Sequence, residues 1–302
     1  MTEKATILFV DDEERILRSL KMLFKSQYNV KTTTDGNEAI EILKNNPVHV
    51  LVSDQRMPIM PGVEVLRQAR EVSPNTMRLL LTGYSDLTAI VGSVNEGEIF
   101  RYINKPWDNQ EIKTTIEKAA EIGISLATLS HKAEDIKGAD SGVGLLVIDE
   151  DKMTFDVVKE LVGDKYPVHW GANLDEAFAV LSNENIAVVI SEVKINNEDI
   201  TGPLKTLKQY YPGILTLVLT SFQDTKLLID LINQGQIYRF MPKPILKKLL
   251  ESSIESAVRH FCSLKKTPEL LKRHSVEKST DEGEVKVSSK IMGYLKKIRE
   301  RI

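Results

Sequence analysis

Four chemically distinctive positions recur along this chain at one constant separation. Asp11 and Asp149, Asp54 and Glu192, Thr82 and Thr220, and Lys105 and Lys243 each stand 138 residues apart. The surroundings repeat too: Leu79-Leu80-Leu81-Thr82 is echoed by Leu217-Val218-Leu219-Thr220, and Glu96-Gly97-Glu98-Ile99-Phe100-Arg101-Tyr102 by Gln234-Gly235-Gln236-Ile237-Tyr238-Arg239-Phe240. One offset held at four places implies a duplicated domain, and a period of this size means two tandem copies rather than a solenoid.

Each marked residue follows a short apolar run, and the runs alternate with helical patterns. In the first copy Thr6–Val10 reads as a strand ending at Asp11-Asp12-Glu13, and Glu13–Ser26 as an amphipathic helix through Ile16, Leu20 and Leu23. A weaker strand at Val30–Thr34 precedes a capping-box start, Asp35 with Glu38, for a helix carrying Ala39, Ile40 and Leu43. Val50-Leu51-Val52 has no polar alternation, as in a strand buried on both faces, and runs into Asp54 and a Pro/Gly-punctuated loop. Helix over 62–72, strand over 77–82, helix over 86–96, strand over 100–104 and a helix capped by Asp108 and Glu111 complete the copy. Five strand–helix alternations predict an α/β domain with a mostly parallel sheet.

The last helical pattern can continue through Ile124 and Leu126 toward Ile136, and its second half reads as a connector. The expected domains are 1–122, a helical connector 123–142, a second copy 143–262, and a tail 263–302 with a polar flexible stretch and a basic helix from Ser288 to Ile302. At 302 residues there is room for two ordinary cores. A net charge of −3 argues against nucleic acid or an anionic membrane as partner. Neither a signal peptide nor a spanning apolar segment is visible, and the single cysteine, Cys262, suits a reducing compartment, so a cytoplasmic location is expected.

Parallel topology would bring Asp11, Asp12, Asp54, Thr82 and Lys105 to the carboxyl ends of the strands, where open α/β sheets place their ligands. Three carboxylates need a neutralising partner. A hard divalent cation such as Mg²⁺ supplies it, Lys105 adds a second positive charge, and Thr82 a hydroxyl donor. Such a site suits in-line phosphoryl transfer to Asp54 as the nucleophile.

The wording Phe-Val-Asp-Asp-Glu, Ser-Asp-Gln-Arg-Met-Pro-Ile-Met-Pro-Gly, Leu-Thr-Gly-Tyr-Ser-Asp and Tyr-Ile-Asn-Lys-Pro-Trp resembles bacterial response-regulator receiver domains over residues 4 to about 122. The resemblance implies a flavodoxin-like (βα)5 fold with sheet order 2-1-3-4-5, and phosphorylation of Asp54 by a sensor histidine kinase, a phosphotransfer protein or a small phosphodonor. It further implies Mg²⁺ held by Asp11, Asp12 and Asp54, a switch made by Thr82 and Tyr102, and a cis bond at Lys105-Pro106. Arg56 and Tyr84 occupy places that tune phosphoryl lifetime in similar domains. Parts of the wording are similar to receivers that precede cyclic-dinucleotide phosphodiesterases or hydrogenase-type transcription regulators.

The second copy resembles the same family and departs from it at the centre. Asp149, Glu150, Thr220 and Lys243 are kept, but Glu192 stands where the nucleophile belongs. One methylene moves the carboxylate by about 1 Å, enough to spoil an in-line geometry. Glu192 is therefore expected to pair with Lys243 in a folded pseudoreceiver that is not phosphorylated. His131 on the connector reads as solvated, and the five histidines share no metal-ligand spacing. The expectation is a phosphorylation-controlled signalling protein, not an enzyme in the usual sense, whose output is contact with a downstream protein or homodimerisation. The alternatives are a DNA-binding transcription regulator and the detached regulatory half of a cyclic-dinucleotide signalling enzyme.

Overall fold

The computed structural model describes residues 4–83, 91–92, 94–95, 98–127, 142–221, 225–235 and 237–274. They fall into two units, residues 1–133 with 225–233, and residues 134–224 with 234–302.

The first unit holds β1 (Thr6–Val10), α1 (Glu14–Phe24), β2 (Asn29–Thr33), α2 (Gly36–Asn45), β3 (Val50–Asp54), α3 (Gly62–Val72), β4 (Met77–Thr82), β5 (Arg101–Asn104) and α4 (Asn109–Ala127). Its five strands are all parallel in the order β2-β1-β3-β4-β5. This is the flavodoxin-like receiver arrangement. The strands β1, β3 and β4 are buried at every residue, as expected of strands sandwiched between two helical layers. Helix α1 buries Leu17, Leu20 and Phe24 at three- and four-residue spacing, and Phe24 stacks on Phe9 of β1 with ring centroids 5.6 Å apart.

The helix starts follow local chemistry. Asp35 accepts hydrogen bonds from the amides of Asn37 and Glu38, and Asp108 from those of Gln110 and Glu111, satisfying donors that a helix N-terminus leaves unpaired. The anticipated capping box at Asp35 is only half formed. The Glu38 carboxylate accepts from the Thr33 hydroxyl, and the same hydroxyl receives the Asp35 amide at 3.1 Å.

Two boundaries differ from the sequence expectation. Residues 123–127, expected to begin a connector, remain packed in α4: a Cβ on Gly123 would come within 2.5 Å of the His49 carbonyl oxygen, and Leu126 is fully buried. The expected polar, flexible stretch after 262 begins instead as the end of a helix followed by the 3₁₀ turn Pro268–His274, whose Leu270 and Leu271 pack on the second core. The rest of the connector (128–141), most of the expected helix 86–96, and the basic segment 275–302 lie outside the described residues.

The second unit repeats the plan with β6 (Gly144–Ile148), α5 (Lys152–Val162), β7 (Val168–Gly171), α6 (Leu174–Asn183), β8 (Ile186–Ser191), α7 (Thr201–Tyr210), β11 (Leu215–Thr220), β12 (Arg239–Pro242) and α9 (Lys247–Lys266). Its parallel sheet runs β7-β6-β8-β11-β12, the same order counted within the repeat. Between β8 and α7 a small hairpin, β9 (Lys194–Ile195) with β10 (Glu198–Asp199), turns on Asn196 and Asn197 at φ 51° and 62°. Asparagine tolerates that left-handed conformation better than most residues. The intervening α8 (Thr225–Asp230) and the π-turn Leu231–Gly235 link β11 to β12 in sequence.

Lys208 on α7 is 1 % exposed, and its ammonium donates to the carbonyls of Pro212 (2.8 Å) and Ile214 (2.7 Å). Burial lowers its pKa to about 7. The unfolded chain therefore binds more protons than the native one between pH 7 and the ordinary lysine range, and stability rises with pH across that window. Urea titrations of the full chain at pH 7 and pH 9.5 should show the second unit gaining stability, with a slope approaching about 1.4 kcal/mol per pH unit. Lys208→Met should remove that gain, whereas an unchanged slope in the variant would contradict the assignment.

Candidate functional site

The sheet of the first unit delivers its polar residues to one edge because each strand ends where its apolar run ends. Asp11 follows β1, Asp54 closes β3, Thr82 closes β4, and Lys105 follows β5. Asp11 and Asp54 are buried at 0 % and 5 % exposure. Lys105 Nζ lies 2.8 Å from Asp11 Oδ2 and also pairs with Asp54 Oδ1, so one ammonium bridges two buried carboxylates. The remaining oxygens are held by backbone: Asp11 Oδ1 accepts from the Glu13 amide at 2.9 Å, and Asp54 Oδ2 from the Arg56 amide at 2.5 Å. Gly62, at the start of α3, is required by close approach, since a Cβ there would collide with the Asp54 carbonyl oxygen and lie 2.8 Å from Leu80 Cδ1.

Burial raises the Asp11 carboxyl above the usual range; hydrogen bonds from Lys105 and the Glu13 amide oppose this, and the nearby Asp54 charge adds to it. Burial pulls Lys105 down, but hydrogen bonds to Asp11 and Asp54 outweigh it and leave the ammonium above the ordinary lysine value. Lys105 therefore stays a cation at neutral pH and faces two buried carboxyl groups. Thr82 is buried, with its hydroxyl donating to the Gly83 carbonyl at 3.0 Å. Tyr102 on β5 is 3 % exposed. The peptide bond Lys105-Pro106 is cis, as the resemblance implied.

Asp12 does not join the buried pair. It is exposed and, among the described residues, makes no hydrogen bond or ion pair. Asp11, Asp12 and Asp54 thus do not stand in the geometry of a three-carboxylate ion site, and no such group of three occurs among the described residues. The donor set still fits a hard cation: two converging carboxyl groups on Lys105, and next to Asp11 in sequence a third, Asp12, with no partner of its own among the described residues.

The second unit reproduces the frame and commits every acid to it. Lys243 Nζ is 2.8 Å from Asp149 Oδ2 and 3.0 Å from Glu192 Oε2, the ion pair expected from sequence. Glu192 Oε1 accepts from the Val193 amide at 2.9 Å. Asp149 also receives the Thr154 hydroxyl (2.8 Å) and the Asp151 amide (2.9 Å), and its carbonyl oxygen receives the Trp170 indole N–H (2.9 Å). Glu150, the counterpart of Asp12, accepts from the Asn196 amide at the tip of the hairpin (2.5 Å). Thr220 is 1 % exposed, and Lys243-Pro244 is the second cis peptide. Thr154, Trp170 and Asn196 were not singled out from sequence. Thr154 could have been, since it stands 138 residues after Ile16 and puts a hydroxyl where the first copy has an alkyl chain.

Fold and site together define a doubly wound α/β domain with an acid–lysine centre at the carboxyl ends of its strands. The first unit is a response-regulator receiver domain. Residues 7–117 match the response regulator receiver domain family. The chain is 39 % identical over 119 residues to the hydrogenase transcriptional regulatory protein HoxA of Cupriavidus necator, a match covering 39 % of this chain and 25 % of that regulator. It is 32 % identical over 133 residues to the transcriptional regulatory protein FixJ of Rhizobium meliloti, covering 44 % of this chain and 65 % of FixJ. Among solved structures it is similar to the signal receiver domain of an HD domain-containing protein from Pseudomonas fluorescens Pf-5, at 36 % identity and a TM-score of 0.40, covering 41 % of this chain and 93 % of that one. The chain spans less than two thirds of the length of HoxA or FixJ. No helix among the described residues is long and apolar enough to cross a membrane.

The hydroxyl that Thr154 donates to the buried Asp149 is specific to the second unit. Thr154→Val keeps the shape and removes the donor, so the second unit should lose about 1–3 kcal/mol in urea unfolding followed by Trp170 fluorescence. An unchanged midpoint would show that this carboxylate is already satisfied without it.

Proposed function

We propose that the chain is a cytoplasmic two-component response regulator in which Asp54 of the first unit accepts a phosphoryl group and the second unit is a pseudoreceiver. The observation that carries this reading is the contrast between the two acid–lysine centres. In the first, the central acid is an aspartate shared by Lys105 and one amide, with Asp12 uncommitted beside it. In the second, the central acid is Glu192, and Glu150 is spent on the hairpin.

In the proposed reaction an Asp54 carboxylate oxygen attacks phosphorus of a phosphohistidine on a sensor kinase or phosphotransfer protein, or of a small acyl phosphate. The P–O bond to Asp54 forms as the donor's P–N or P–O bond breaks, and water later returns inorganic phosphate. Lys105 stays protonated and neutralises charge on the transferred group, a term that contributes much of catalysis in phosphoryl transfer. The Arg56 amide holds Asp54 in place. Mg²⁺, bound by Asp11, Asp54 and Asp12, would supply the remaining positive charge. The Thr82 hydroxyl, now spent on the Gly83 carbonyl, is the donor that can turn to a phosphoryl oxygen, linking the chemistry to β4 and, through its pairing, to Tyr102 of β5.

The second unit keeps Lys243 and Thr220 but replaces Tyr102 by Phe240, so the hydroxyl of the switch pair is missing as well as the nucleophile. We assign it a docking or dimerisation role, with output by contact with a downstream protein. The named relatives are transcription regulators whose matches span 119 and 133 residues of this chain.

Beryllofluoride, which mimics an aspartyl phosphate, should bind in the presence of Mg²⁺ with one equivalent per chain, followed by ¹⁹F NMR. Binding should vanish in Asp54→Asn and persist in Glu192→Gln. Retention in Asp54→Asn, or loss in Glu192→Gln alone, would overturn the division of roles.

A further inference from the structure

Strand β5 is the last strand of its sheet, so every second backbone amide and carbonyl along it points away from β4. At Tyr102 both outward groups are taken by one side chain. The Tyr102 N–H donates to Asn233 Oδ1 at 2.8 Å, and Asn233 Nδ2 donates to the Tyr102 carbonyl at 3.1 Å. A carboxamide offers an acceptor and a donor side by side, as a neighbouring strand's peptide would, and so completes the ladder without a strand. Asn233 lies in the π-turn after α8, and the segment Thr225–Asn233 groups with the first unit although it stands between β11 and β12 in sequence. Leu228, Ile229, Leu231 and Ile232 of that segment are all at most 2 % exposed, so the amide is carried on an anchored element.

We propose that Asn233 is an intramolecular latch on the phosphorylation switch: its carboxamide fixes the backbone of Tyr102 in the arrangement that accompanies an unmodified Asp54. This rests on the reading of Asp54 as phosphoacceptor. The two hydrogen bonds need Tyr102 N–H and C=O presented together at this one place on the edge. Tyr102 pairs with Leu80 in the ladder that ends at Thr82 and Asn104, so a displacement begun at Thr82 by a phosphoryl group reaches the bonded peptide through two residues of strand. The segment's contact and the phosphoryl group then compete, and by linkage whatever weakens one strengthens the other. The partner that fits this stretch of edge in the unmodified protein is the chain's own Thr225–Asn233 segment. Any downstream protein using the same edge has to displace it.

The test has two arms on the full chain. Amide exchange by NMR in the unmodified protein should find Tyr102 N–H protected, with exchange at least about tenfold faster in Asn233→Ala and unaltered in a control such as Lys44→Ala on the exposed face of α2. Beryllofluoride titration with Mg²⁺ should give a half-saturating concentration about five- to tenfold lower in Asn233→Ala than in the parent chain. Equal exchange at Tyr102, or equal or weaker fluoride binding in the variant, overturns the latch. If no chain binds beryllofluoride, the phosphoacceptor reading fails while the exchange arm still reports on the contact alone. Should Asn233→Ala misfold, Asn233→Leu keeps about the size and removes both the acceptor and the donor, and the same accelerated exchange and tighter binding are required of it.

Discussion

A single lysine ammonium held between two buried carboxylates is the interaction on which both halves of this chain depend. Lys105 binds Asp11 and Asp54 in the first unit, and Lys243 binds Asp149 and Glu192 in the second. Buried carboxylates are costly unless paired and hydrogen-bonded, and removing one partner of such a pair typically costs about 3–5 kcal/mol. The strands that end at these residues consist of apolar side chains packed to exclusion of water, so the acids at their tips require the lysine. The same arrangement that makes folding depend on Lys105 also presents Asp54 as an acid next to a fixed positive charge, where an incoming phosphoryl group finds charge compensation already in place.

The two units share a sheet order and an acid–lysine frame and differ in what surrounds the acids. In the second unit Lys243 and the amides of Asp151 and Val193 hold Asp149 and Glu192 as Lys105 and the amides of Glu13 and Arg56 hold Asp11 and Asp54, and two partners are added: the Thr154 hydroxyl on Asp149 and the Asn196 amide on Glu150. A site whose acids are all satisfied internally gains little from a cation or an anion. Among the described residues, the first unit leaves Asp12 without such a partner, whereas its counterpart Glu150 has one.

Much of this was legible from the order of residues. The 138-residue offset, the all-parallel alternation, the Asp35 and Asp108 caps and the Glu192–Lys243 pair all depend on local pattern or on what a parallel sheet must bring together. What escaped depends on contacts set by packing. Glu38 has the spacing of a capping box but accepts from the Thr33 hydroxyl instead, and that hydroxyl takes the Asp35 amide the box would have used. Lys208 is not marked by any sequence pattern, and its ammonium is buried against the carbonyls of Pro212 and Ile214 in the following turn. That Lys105 pairs with both Asp11 and Asp54 while Asp12 is exposed depends on side-chain placement that the spacing of the three acids does not carry. Asn233 and Tyr102 lie 131 residues apart, and no periodicity links them.

The central claim is that one aspartate, and not its counterpart, becomes an acyl phosphate. Treatment of the full chain with acetyl phosphate and Mg²⁺, reduction of the acyl phosphate with borohydride, and peptide mapping of the reduced side chain tests it most directly. The account predicts homoserine at position 54 and unmodified glutamate at position 192; a reduced side chain at 192, or an unmodified aspartate at 54, would contradict it.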